Sequence, residues 1–190
     1  MSLNACIRRA IRWGIDFIQI REKNLSDRAL YELTCRTVAL ARKTECRILV
    51  NGRADIALAA GAHGVHLPSS GMRVSEIRSW LPGNFLVGVS VHTLREIHDA
   101  CAQGADYVLV GHVFPTSSKE GYGRPLGLTF LRRACSLAQI PILGLGGIRP
   151  ELIASVLETG AAGIAGISLF QSTSKPRIAR DQFAKFVADL

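Results

Sequence analysis

The chain has 190 residues, of which 48% are hydrophobic, 20% charged and 6% aromatic, and it carries a formal net charge of +8. This balance suits one folded domain over residues 1–190 with a sizeable core, and no apolar run reaches the roughly 18 residues of a membrane span or the length of a signal peptide, so a cytoplasmic protein is expected. The positive charge is dispersed and few aromatics accompany it, which argues against nucleic acid and suits attraction of an anionic small molecule.

The first predicted element is a helix over Ala5–Trp13, which feeds a strand over Ile15–Arg21. At that strand's end Gln19, Arg21 and Lys23 alternate, and a period of two points all three to one face. An inward Arg and Lys at the rim of a sheet are costly unless paired or bound to an anion; a solvated strand end is the alternative. Ser26-Asp27 opens the longest helix, which runs to about Thr44 with Leu30, Leu33, Val38 and Leu40 near one face. Six further strands follow, over Arg47–Asn51, Gly64–Leu67, Leu86–Ser90, Asp106–Gly111, Pro141–Leu145 and Gly163–Ile167. Helices are predicted over Ala54–Ala60, Val74–Leu81, Thr93–Gln103, Leu128–Ala138, Pro150–Thr159 and Pro176–Asp189. The strands are short and nearly continuously apolar, as in parallel sheets covered on both faces.

Seven strands alternating with helices leave an open doubly wound sheet or a (β/α)8 TIM barrel. The barrel reading lacks its first strand, and its unpaired edges need a cover: a longer natural chain, the first helix, or a partner subunit in a homo-oligomer. The five cysteines form no Cys-x-x-Cys pair, which argues against a disulfide framework or zinc site.

Polar residues stand at the strand ends: Asn51, His66, Ser90 and His92, then His112 in Gly111-His112-Val113-Phe114-Pro115-Thr116-Ser117-Ser118-Lys119. The stretch from Gly111 to Gly127 reads as a long functional loop. His112 follows a buried strand, where barrel catalysts sit, and can take or give a proton near neutrality; a structural histidine is the equal alternative. Leu145-Gly146-Gly147-Ile148 ends a strand in two glycines, and Ile167-Ser168 ends the next. Glycines admit close approach of an anion to backbone N–H groups, and barrels often hold phosphate on their last two strand ends, although glycine pairs also serve plain tight turns. No carboxylate cluster marks a metal site; Asp55, near Asn51, falls at a helix start.

Taken together, Gln19-x-Arg21-x-Lys23, Val50-Asn51, Gly64-Val65-His66-Leu67, Gly88-Val89-Ser90, Gly104-Ala105-Asp106-Tyr107-Val108, Pro115-Thr116-x-x-Lys119, Gly146-Gly147-Ile148 and Ile167-Ser168 resemble the thiamine phosphate synthase superfamily. The resemblance implies a (β/α)8 barrel and a site acting on a phosphorylated thiazole. Its synthase branch couples an aminopyrimidine diphosphate to the thiazole phosphate with magnesium, and has aspartates where this chain has Gly52 and Gly71. Its thiazole tautomerase (TenI) branch is similar to this chain at Asn51-Gly52-Arg53, Leu67-Pro68-Ser69, Ser90-Val91-His92 and Gly111-His112-Val113-Phe114. That likeness implies a metal-independent isomerase with no cofactor and His112 as proton shuttle. Gly146, Gly147, Ile167 and Ser168 would then hold phosphate. Gln19, Arg21, Lys23, Asn51, His66, Ser90, His92, Thr116, Ser118 and Lys119 would face substrate. The alternatives are the magnesium-dependent synthase, whose Gln19, Lys23 and Pro115-Thr116-x-x-Lys119 pattern the chain keeps, and a non-catalytic phosphate-ligand protein.

Overall fold

A computed structural model describes residues 3–116, 123–171 and 187–189. All seven predicted strands form: β1 (Phe17–Ile20), β2 (Arg47–Asn51), β3 (Gly64–Leu67), β4 (Leu86–Val91), β5 (Tyr107–Gly111), β6 (Ile142–Leu145) and β7 (Gly163–Ala165). Each pairs in parallel with the next, so the sheet follows chain order. The intervening helices are α1 (Leu3–Arg12), α2 (Asp27–Ala41), α3 (Ala54–Ala59), α4 (Val74–Arg78), α5 (Leu94–Ala102), α6 (Gly127–Leu137), α7 (Ile153–Leu157) and α8 (Ser168–Gln171). The helix expected from Pro150 begins instead as a 3-10 turn over Pro150–Leu152, and α8 was not expected.

Local chemistry sets the helix starts. The Ser26 hydroxyl accepts the Ala29 N–H at the start of α2. At α5 the Thr93 hydroxyl accepts the Glu96 N–H while Glu96 accepts the Thr93 N–H, a reciprocal cap worth about 1 kcal/mol. The buried hydroxyls of Thr34 and Thr37 donate to the Leu30 and Leu33 carbonyls, so α2 buries them without unpaired donors.

Alternation along the strands separates two cores. Ile18, Ile20, Ile48, Val50, Val65, Val87, Val108 and Val110 face the helices. Phe17, Leu49, Tyr107, Leu109, Leu143 and Ala165 form a second cluster on the other face. That cluster joins β1 to β6 and β7, which are distant in sheet order, so the sheet must curl upon itself. The barrel is chosen over the doubly wound sheet. Inside it the rings of Phe17 and Tyr107 stack, with centroids 5.9 Å apart and an interplanar angle of 8°. Gly88 makes room for them: a Cβ there would lie 2.1 Å from Tyr107 Cζ.

An eighth strand, β8 (Val187–Asp189), pairs in parallel with β1 on the side away from β2. It fills the seat that the sequence leaves without a strand. It also corrects the helix expected over Pro176–Asp189, the rest of which lies outside the described residues. β7 and β8 are the edges of the sheet, and their Cα atoms approach within 8 Å, so the curl is nearly complete. No helix among the described residues is long and apolar enough to cross a membrane.

Candidate active site

The barrel mouth carries a polar arc across five strands. Gln19 (β1) donates through Nε2 to Asn51 Oδ1 (β2) at 2.9 Å, which leaves the Gln19 carbonyl oxygen for a donor in the mouth. Asn51 stands beside His66 in the strand register. His66 (β3) contacts Ser90 Oγ (β4) through Nε2 at 2.9 Å and the Tyr107 hydroxyl (β5) through Nδ1 at 3.0 Å. His66 is 1% exposed, and burial holds its pKa down at about 3, with the Arg21 charge adding in the same direction. It is a neutral imidazole at pH 7, so it serves as a hydrogen-bonding element and not as a proton carrier.

The loops above the arc are braced. Arg53 forms ion pairs with Asp27 at the start of α2 and with Asp55 at the start of α3. These bonds, Asp55 first, raise the Arg53 pKa, and Arg53 in turn lowers those of both aspartates. His92 bonds the Gly111 carbonyl through Nδ1 at 2.6 Å; a carbonyl only accepts, so this nitrogen bears the hydrogen. His92 therefore ties the end of β4 to the end of β5.

His112 is 6% exposed and lies against Gly146, where a Cβ would sit 2.5 Å from its own Cβ. Gly147 (φ +66°) is equally confined: a Cβ would lie 2.5 Å from the Pro115 carbonyl oxygen. The Val113 N–H donates to the Leu145 carbonyl and the Phe114 N–H to that of Gly146. The glycine pair thus seats the 112–116 segment, with Thr116, on the β6 turn. Ile167 and Ser168 are exposed on the neighbouring turn after β7. Arg21 and Lys23 are exposed beyond the end of β1. Ser118 and Lys119 lie outside the described residues.

The family model for thiamine monophosphate synthase matches residues 1–170. This chain belongs to the thiamine monophosphate synthase family. It is 42% identical over 176 residues to a putative thiamine-phosphate synthase of Geobacter sulfurreducens, covering 93% of this chain and 83% of that one. It is 36% identical over 184 residues to the thiamine-phosphate synthase of Pyrococcus furiosus, covering 97% and 88%. The solved thiamine phosphate pyrophosphorylase from Pyrococcus furiosus superposes with a TM-score of 0.83 at 32% identity, covering 93% and 85%. These family members are named for a transferase activity. They overturn the expectation of an isomerase, which rested on short motifs at four strand ends, above all Gly111-His112-Val113-Phe114, and on Gly52 and Gly71.

Magnesium, which the synthase branch implies, does not fit the residues of this family member. Gly52 and Gly71 both face the Pro68 ring: a Cβ on Gly52 would lie 3.8 Å from Pro68 Cδ, and one on Gly71 3.1 Å from it. Asn51 Oδ1 is engaged by Gln19, while Asp27 and Asp55 are engaged by Arg53. Among the described residues no group of three or more His, Cys, Asp or Glu could hold an ion. A hard cation wants several oxygen ligands, and this rim offers a proline ring between two glycines.

Two participants escaped the sequence reading. The sequence offers Tyr107 only as a member of a strand and of the Gly104-Ala105-Asp106-Tyr107-Val108 motif, and Arg53 only as a member of the Asn51-Gly52-Arg53 motif, neither as a site residue. A legible signal for Tyr107 was Gly88 on the preceding strand, a missing side chain opposite a large inward ring.

Proposed function

We propose that this chain is a transferase of the thiamine-phosphate-synthase kind, which joins an aminopyrimidine carried as its diphosphate to the ring nitrogen of a thiazole phosphate. The C–O bond to the diphosphate breaks, a C–N bond to the thiazole forms, and diphosphate leaves with the bonding electrons. The relatives' names support the reaction. The geometric observation that carries the assignment is the Gln19–Asn51 hydrogen bond, which fixes the amide so that a carbonyl acceptor is presented to an amino group in the mouth.

Arg21 and Lys23, exposed beyond the end of β1, would meet the departing diphosphate's charge, and Ser90, bonded to His66, would offer it a hydroxyl. The N–H groups of Gly147, Ile167 and Ser168, with Thr116 alongside, would take the thiazole phosphate. His112, packed against Gly146, would then line the mouth and contact substrate. No proton has to move on the thiazole in this reaction, so a proton shuttle is not required of it.

The deciding experiment incubates the protein with both half-substrates and separates the products by chromatography. Thiamine phosphate and pyrophosphate should appear in equal amounts. Absence of product across the range from excess EDTA to millimolar magnesium would overturn the reading. Because Asp27 and Asp55 are held by Arg53, and no group of three or more His, Cys, Asp or Glu among the described residues could hold an ion, pyrophosphate affinity by calorimetry should differ by less than about threefold between EDTA and magnesium.

A further inference from the structure

We infer that Tyr107 and His66 are positioning residues that turn Ser90 into a one-way hydrogen-bond donor toward an anionic oxygen bound in the barrel mouth. The inference rests on the reading above only in placing a diphosphate there.

The argument starts at the deep end. Tyr107 is 3% exposed, and its hydroxyl meets His66 Nδ1 at 3.0 Å. Burial raises the phenol's pKa, with Asp106 adding to the effect, so it stays protonated. Among the described residues His66 Nδ1 is the only acceptor its hydrogen is given. Were Nδ1 to carry a hydrogen instead, the phenol hydrogen would be buried with no acceptor, an arrangement folded proteins avoid. Tyr107 must therefore donate to Nδ1, and the single hydrogen of the neutral ring is placed on Nε2.

That hydrogen points at Ser90 Oγ, 2.9 Å away. With its oxygen already accepting, Ser90 directs its own hydrogen elsewhere. Ser90 is half-buried at the end of β4, on the same arc as Gln19, and Arg21 lies close enough for its charge to act on His66. An anionic oxygen is the partner suited to a committed donor beside a guanidinium. Gly88 permits the chain of bonds, since any side chain there would occupy the Tyr107 ring position.

The test has one arm that needs no substrate. Long-range 1H–15N spectra of the free protein, with the His66 signals assigned by their loss in His66→Gln, should show hydrogen on Nε2 and a bare Nδ1 at neutral pH. Hydrogen on Nδ1, or a charged ring, overturns the inference. The second arm measures inorganic pyrophosphate binding by calorimetry. Ser90→Ala and the near-isosteric Tyr107→Phe should each weaken it about tenfold, and the double variant no further. Unchanged affinity in Ser90→Ala, or in a folded Tyr107→Phe, overturns it. Should Tyr107→Phe not fold, the tautomer and Ser90→Ala decide alone. A protein that passes both arms yet makes no thiamine phosphate retains the relay and loses the assigned reaction.

Discussion

His66 shows how a single residue sets a pH limit. In the unfolded chain it titrates near 6.5, but in the fold its pKa is about 3. Between those values the unfolded chain binds a proton that the fold refuses. Stability is therefore complete above about pH 6.5 and is lost on acidification toward pH 3, by an amount on the order of 3–5 kcal/mol. Asp27 and Asp55, with lowered pKa values, push in the same direction, so the comparison that isolates His66 is wild type against His66→Gln. Urea midpoints measured at about pH 7 and about pH 4.5 should fall further for wild type than for the variant; equal falls would contradict the burial argument. Gly88→Ala tests the same pocket sterically. Its Cβ would strike the Tyr107 ring, and the loss should be about 1–3 kcal/mol, read from the urea midpoint.

The elements divide their work between the two ends of the barrel. At the N-terminal end of the strands, Arg78 at the close of α4 donates to the Phe85 carbonyl at 2.6 Å and to that of Gly104 at 3.0 Å, and pairs with Asp106. Asp106 also accepts the Val87 N–H at 2.6 Å, so one guanidinium braces the turns leading into β4 and β5. Arg78→Ala should lower stability by about 1–3 kcal/mol in a thermal melt while leaving pyrophosphate affinity unchanged. Altered affinity would mean that the two ends are coupled. At the C-terminal end, Gly147→Ala should disturb binding as well as stability, because its Cβ would push the Pro115 backbone off the β6 turn. These roles explain what could be read from the sequence. Strand and helix order followed from apolar periodicity, and strand ends marked the candidate residues, because both are local patterns. The sequence offers the glycine pair as an anion cradle; the structure adds a packing need visible only in three dimensions, since a Cβ would strike His112 from Gly146 and the Phe114 and Pro115 backbone from Gly147. The arc was legible as separate residues, Gln19, Asn51, His66 and Ser90, but not as a hydrogen-bonded chain, since bonds between strands depend on register.

For the whole molecule the informative element is β8. Three residues give no periodicity, so its pairing with β1 left no trace in the sequence pattern. Deleting residues 187–190 should bare the edge of β1 and promote self-association, detectable by light scattering as a rise in apparent mass at unchanged concentration. A variant that stays monodisperse with an unaltered melt would show the edge to be indifferent to its cover. The isomerase expectation failed at this scale too: short motifs at four strand ends weighed less than a likeness to named synthases over nearly the whole chain. The β1–β8 pairing has one more consequence. Phe17 finds its partner Val187 about 170 residues later, whereas β1 to β6 each pair with the next strand in sequence. During synthesis β1 waits, one side bare, until about 170 further residues have been made. The seam of this barrel is thus closed in time as well as in space, and the interval before it shuts is when a nascent chain is most exposed to wrong partners.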